Sequence, residues 1–128
     1  MIEAITSDDD LRDLREGAIV TLKGKLENVR YGGDGRSARG EKQNIHWPGA
    51  SLVVTFADWS MVAVNVVDGP TAKGIRIPLS SYVTVKARVI DEDGTLEAIA
   101  IWTPGGVPQP LARDPEKASG DLTERKSA

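Results

Sequence analysis

The sequence has no cysteine, one histidine, and no apolar run approaching the roughly 18 residues that a membrane-crossing helix needs. Without cysteine there is no disulfide, no thiol nucleophile and no thiolate metal site. The one histidine, His46, has no carboxylate partner legible beside it, and no metal-ligand spacing or nucleophile elbow occurs along the chain. The expectation is therefore a non-enzymatic protein with no metal and no cofactor. Neither sign of charge dominates, with sixteen Lys and Arg against nineteen Asp and Glu, so the chain as a whole is not a strongly basic nucleic-acid binder, although a neutral average is compatible with a basic face. The first ten residues are acidic after a short apolar start and lack the basic and apolar regions of a signal peptide. The localisation expected from this is cytoplasmic, with no membrane partner.

What is present is the composition of a soluble globular domain, 40% hydrophobic and 27% charged over 128 residues, enough for one compact core plus tails. Charge is unevenly placed: residues 1–16 carry six acids and two bases, residues 17–110 ten bases and nine acids, and residues 111–128 four of each. Ser7 before Asp8, Asp9 and Asp10 reads as an N-cap with acids in the first turn, and Gly17 as a stop, predicting a short helix over about residues 8–16 with Leu11 and Leu14 on one face.

From Ala18 the period becomes two. Val20, Leu22, Gly24 and Leu26 point one way and Thr21, Lys23, Lys25 and Glu27 the other, a half-buried strand in which Gly24 marks a bulge, a bend or a close backbone approach. Residues 31–50 hold five glycines and no sustained period and are expected to form one long loop, a kind that is uncommon unless functional. Leu52, Val54 and Phe56, then Val62, Val64 and Val66, make a hairpin around the link Asp58 to Ser60. Residues 71–81 read as irregular with at most one helical turn. Val83 to Val89, the turn Asp91-Glu92-Asp93-Gly94, and Thr95 to Trp102 make a second hairpin. Pro104, Gly105, Gly106, Pro108 and Pro110 are expected to end ordered structure.

Five strands in about 85 residues, each with one apolar face, are best closed into a small barrel. The run Gly17-Ala18-Ile19-Val20-Thr21-Leu22-Lys23-Gly24-Lys25-Leu26, together with Tyr82 to Ile90 and Asp93-Gly94-Thr95-Leu96-Glu97-Ala98, resembles the first and the fourth-to-fifth strands of OB-fold domains. That group includes the modules of single-stranded-DNA-binding proteins, replication protein A and the anticodon-binding domains of tRNA synthetases. The resemblance covers about residues 17–103 and implies an all-β fold: a five-stranded, OB-like Greek-key barrel with a short N-terminal helix and a disordered C-terminal tail. The corresponding division is an N-terminal segment 1–16, the barrel 17–103, and a Pro/Gly-rich linker and flexible tail 104–128. An SH3-like barrel is the rival fold, disfavoured because its strands usually pack into a shorter chain.

OB folds bind oligonucleotides or oligosaccharides on the face of strands two and three and in the flanking loops. On this chain the first such loop carries Arg36, Arg39 and Lys42 with Tyr31 and Trp47, the mix of cations and stacking rings that single strands require. The competing reading is a solvated loop with Trp47-Pro48 folded over one end of the barrel. Trp59 lies in the tight link of the first hairpin, either stacking on a ligand or packing over the other end. Lys23 and Lys25 share one face of the first strand and Lys86 and Arg88 one face of the fourth, so the four form one patch if the strands are neighbours. The bland alternative is outward polar alternation with edge-blunting lysines. Trp102 and Phe56 are expected in the core. The acids Asp91, Glu92 and Asp93 oppose phosphate in the second loop.

The resulting expectation is binding of single-stranded nucleic acid, DNA favoured, through Tyr31, Arg36, Arg39, Lys42, Trp47, Trp59, Lys23, Lys25, Lys86 and Arg88. The alternative is a protein-interaction or structural module in a larger assembly, with a protein partner or a second copy of the chain. A sugar-binding barrel is third.

Overall fold

The computed structural model describes residues 3–31, 34–36, 42–46, 49–67, 69–92 and 94–112; the side chains of residues 3, 8, 31, 34–36 and 42–46 lie outside that description. Nine strands are present among the described residues: β1 (Glu3–Ile5), β2 (Ile19–Tyr31), β3 (Asp34–Arg36), β4 (Lys42–His46), β5 (Ala50–Thr55), β6 (Met61–Val66), β7 (Tyr82–Val89), β8 (Leu96–Trp102) and β9 (Gln109–Pro110). One short helix, α1 (Gly69–Lys73), follows β6.

The predicted N-terminal helix over residues 8–16 is not formed. A single 3-10 turn, Asp8–Leu11, stands in its place, and Ser7 makes no side-chain capping bond to it. Asp10 turns its carboxylate back instead, accepting from the Thr6 amide at 3.0 Å and from the Ser7 hydroxyl at 3.4 Å. The segment buries only Leu11 completely and is tied to the ring by the Gly17 amide donating to the Val89 carbonyl at 2.7 Å, so it lacks the continuous apolar stripe that stabilises a longer helix. What the segment contributes is apolar: Leu11 is buried, and Leu14 packs on the core from its edge.

β2, β5, β6, β8 and β7 form a closed ring, because β7 pairs back onto β2. Within it the order β7-β2-β5-β6 places the fourth long strand beside the first. β2 has three partners, β1 in a short parallel pairing from Glu3 opposite Val20 to Ile5 opposite Leu22, and β7 and β5, on which closure depends. Its first half pairs with β7, from Ile19 opposite Arg88 to Lys25 opposite Tyr82, and its second half pairs with β5, from Lys25 opposite Thr55 to Tyr31 opposite Ala50. A register shift between Leu26 and Asn28 bends the strand between the two halves. Gly24 lies at the tightest point: a Cβ there would run into the carbonyl oxygen of Thr55 and come within 2.9 Å of Val54 Cγ1. Of the three meanings a mid-strand glycine has, close backbone approach is the one realised.

Inside the ring, Val20, Leu22, Leu26, Leu52, Val54, Val62, Val64, Val66, Val85, Ala87, Leu96 and Ile101 are buried, as the period-two pattern requires. The weakest seam is between β6 and β8, which share one ladder pair, Asn65 with Glu97, in parallel orientation. Asn65 reinforces it, donating from Nδ2 to the Leu96 carbonyl at 3.1 Å and accepting at Oδ1 from the Ser51 hydroxyl at 3.0 Å, in a fully buried position. Beyond that pair, the edge of β8 that β7 leaves open is taken by β9, with Ala100 opposite Pro110 and Ile101 opposite Gln109. The chain after Trp102 thus returns to the ring, and Leu111 is buried. The Gln109 side-chain amide donates to the Gly74 carbonyl at 2.6 Å, tying this return to the end of α1. The tail from residue 113 onward lies outside the described residues.

Where a single long loop was expected over residues 31–50, the chain forms a small hairpin of β3 and β4. β3 lies against β6. On that side the outward-directed Ala63, Asn65 and Ser51 are buried.

Candidate functional site

The turn between β5 and β6 is closed by two backbone bonds: the Phe56 amide donates to the Ser60 carbonyl at 2.8 Å and the Trp59 amide to the Phe56 carbonyl at 3.0 Å. Ala57, Asp58 and Trp59 form a three-residue loop, whose last position takes the left-handed conformation. Glycine is the usual occupant there; here it is Trp59, at φ 70° and 82% exposed. Asp58 fixes the loop from within. Its Oδ1 accepts from the Ser60 hydroxyl at 2.5 Å and from the Ser60 amide at 3.1 Å. These bonds, the hydroxyl first, hold the Asp58 carboxyl below its ordinary value of 3.8.

Beside this turn, residues directly opposite one another on four strands form a row, Tyr82 on β7, Lys25 on β2, Thr55 on β5 and Met61 on β6. Directly opposed residues share a face. Tyr82 and Met61 are exposed, at 65% and 58%, and Lys25 Nζ stands over the Tyr82 ring, 5.7 Å from its centroid. The core's Phe56 supports the row from below, as its apolar phase predicts. An open cleft of about 90 Å³ lies here, lined by Lys25, Glu27, Thr55, Phe56, Ala57, Trp59 and Tyr82. A second cleft, of about 250 Å³, shares Ala57 and Tyr82 with it and adds Lys23, Gly24, Val83, Thr84 and Pro104.

The next row along the same face is Lys23, Thr84 and Trp102. Trp102, expected in the core, faces outward and is half-buried. The reason is a register shift in β8: Lys86 pairs with Ala100 but Ala87 with Ala98, so Ile99 is an extra residue that reverses the alternation beyond it. Further along stand Thr21 with Lys86, and then Ile19 with Arg88. The four strand cations therefore do occupy one face, as a diagonal from Lys25 through Lys23 and Lys86 to Arg88. They are not equivalent. Lys23 is exposed, Lys25 covers Tyr82, Lys86 is half-buried, and Arg88 Nη2 is paired with Glu97 Oε1 at 3.6 Å.

Of the loop residues expected to bind, Tyr31, Arg36 and Lys42 have their backbone on β2, β3 and β4, while their side chains, and Arg39 and Trp47 as a whole, lie outside the described residues. The acidic turn is a structural cap in part, since Asp91 Oδ1 accepts from the Thr95 amide at 3.0 Å. A Cβ on Gly94 would meet Leu14 Cδ1 at 3.9 Å, so the acidic N-terminal segment and the acidic turn share one end of the ring. Trp59 and Tyr82 lie at the other end of the β2–β7 pair. Tyr82, Met61 and Pro104 were not among the expected site residues. Tyr82 had a signal, being two residues before Thr84 in the outward phase of its strand. Among the described residues no group of three or more His, Asp or Glu is placed to hold a metal ion, and no helix is long and apolar enough to cross a membrane. No family model, curated protein or solved structure matches this chain.

Proposed function

We propose that this chain is a non-enzymatic module that binds single-stranded nucleic acid in the cleft between Trp59 and Tyr82, on a ring of OB type. The observation that carries the reading is Trp59. A bulky residue in the left-handed region costs on the order of 1 kcal/mol that glycine avoids, and a largely exposed tryptophan side chain forgoes the burial that is its main contribution to stability. Both costs persist at a position where neither folding nor packing needs tryptophan. Strain of this kind is concentrated at binding sites. Beside Trp59 stand a second exposed ring, Tyr82, and the Lys25 ammonium, the pairing of stacking surface and cation that single strands use. The closed order of five strands with a Greek-key crossing supports the OB reading.

The test is quenching of intrinsic tryptophan fluorescence by oligothymidine at low salt and again at about 200 mM, where counterion effects are large. Quenching that weakens with salt, and that is abolished in Trp59→Ala, is the expected result. No response at low salt, accompanied by a concentration-dependent mass in solution, would replace this reading with that of a protein-interaction module.

A further inference from the structure

Resting on that reading, we infer that the second cleft is a second nucleotide subsite, so that the face of β2 holds two consecutive nucleotides of a single strand with Tyr82 between them. Each cleft repeats the same pair of elements. The first offers Lys25 and the rings of Trp59 and Tyr82; the second offers Lys23, the same tyrosine and the exposed Pro104, over a floor that includes the buried Val83. Lys25 and Lys23 are two residues apart on one face of β2, which places them about 6.7 Å apart along the strand. That repeat suits successive phosphates of an extended chain. Gly24 joins the two subsites: because it carries no Cβ, the end of β5 presses onto β2, and Ala57 in the following turn becomes a wall of both clefts.

The footprint has defined ends. Glu27, two residues beyond Lys25 on β2, lines the first cleft and repels a further phosphate there. Beyond Lys23 the next cations are the half-buried Lys86 and Arg88, the latter held by Glu97. Charge complementarity thus selects two phosphates, not the four that a count of strand cations gives.

The experiment is titration of the full chain with the oligothymidines dT2, dT4 and dT8 across a salt series, comparing wild type with Lys23→Gln, Lys23→Arg and Trp59→Ala. Lys23 is exposed, so its variants retain the fold, which the thermal midpoint checks. For wild type the expected slope of log K against log salt is about −1.4, two phosphates at about −0.7 each. Lys23→Gln is expected to reduce it to about −0.7 and weaken binding at low salt about tenfold, Lys23→Arg to restore both, and dT4 to bind as tightly as dT8 per available register. If Lys23→Gln binds with unchanged slope and affinity while Trp59→Ala does not bind, the second subsite is overturned and the nucleic-acid reading stands. If wild type fails to respond to dT8 at low salt, both fall together.

Discussion

A tryptophan at φ 70° in a three-residue hairpin loop separates stability from binding at a single position. Trp59→Gly relieves left-handed strain of about 1 kcal/mol, partly offset by about 0.5 kcal/mol of added unfolded-chain entropy. The variant is expected to melt at or a few degrees above the wild-type temperature while losing at least tenfold in oligothymidine affinity; a fall in the midpoint would show that the ring packs on the fold. Its neighbour Asp58 makes the loop pH-sensitive. A carboxyl whose folded pKa lies below its unfolded value contributes stability that is present above the unfolded value and lost as pH falls through the folded one. The Asp58–Ser60 bonds should therefore hold at pH 4 and give way below 3.8. Trp59 fluorescence followed from pH 5 to pH 2 is expected to show this step in wild type and not in Asp58→Asn. At this scale Gly24 was legible as a special position, because glycine in mid-strand has few meanings. Trp102 departs from the core position its strand period predicts because its face is set by the extra residue Ile99 further back in the strand.

Among the elements, the return of the chain along β8 has the largest consequence. The ring shares one ladder pair between β6 and β8, and the remaining edge of β8 is occupied by β9, with Leu111 buried behind it. Leu111→Ala is expected to destabilise the protein by about 2–5 kcal/mol, the usual range for a buried leucine, measured as a lowered denaturant midpoint. A near-neutral result would mean that the 103–112 segment is dispensable for the core. Hydrophobic period predicted the five long strands because each buries one face. It passed over β1, β9 and the 3-10 turn because short elements carry too little pattern and owe their conformation to the strands they pair with. The expected helix over residues 8–16 failed for a related reason: propensity and a capping residue are weak where the segment buries only Leu11 completely and gives the core no continuous apolar stripe.

Over the whole molecule the charges are sorted by position and not by number. The acidic N-terminal segment and the Asp91-Glu92 turn lie together at one end of the ring, while Lys25, Lys23, Tyr82 and Trp59 lie towards the other. A net charge of -3 conceals this division. In a backbone-amide chemical-shift titration with oligothymidine, changes are expected at residues 23–25, 57–59 and 82–84 and not at residues 9–16 or 91–92. Shifts concentrated at the acidic end would move the binding surface away from the clefts.

By itself the sequence determined the all-β class, the five long strands and the inward phase of the apolar residues, since all of these follow from local period and turn chemistry; whether Trp59 is exposed or packed over an end it left open. Only the tertiary structure decided the closure of β7 onto β2, the burial of Ser51 and Asn65, the outward turn of Trp102, and the meeting of Tyr82 with Lys25 beside Trp59. These depend on which strand pairs with which, and at what register. One added residue in one strand exchanges inside for outside in everything beyond it.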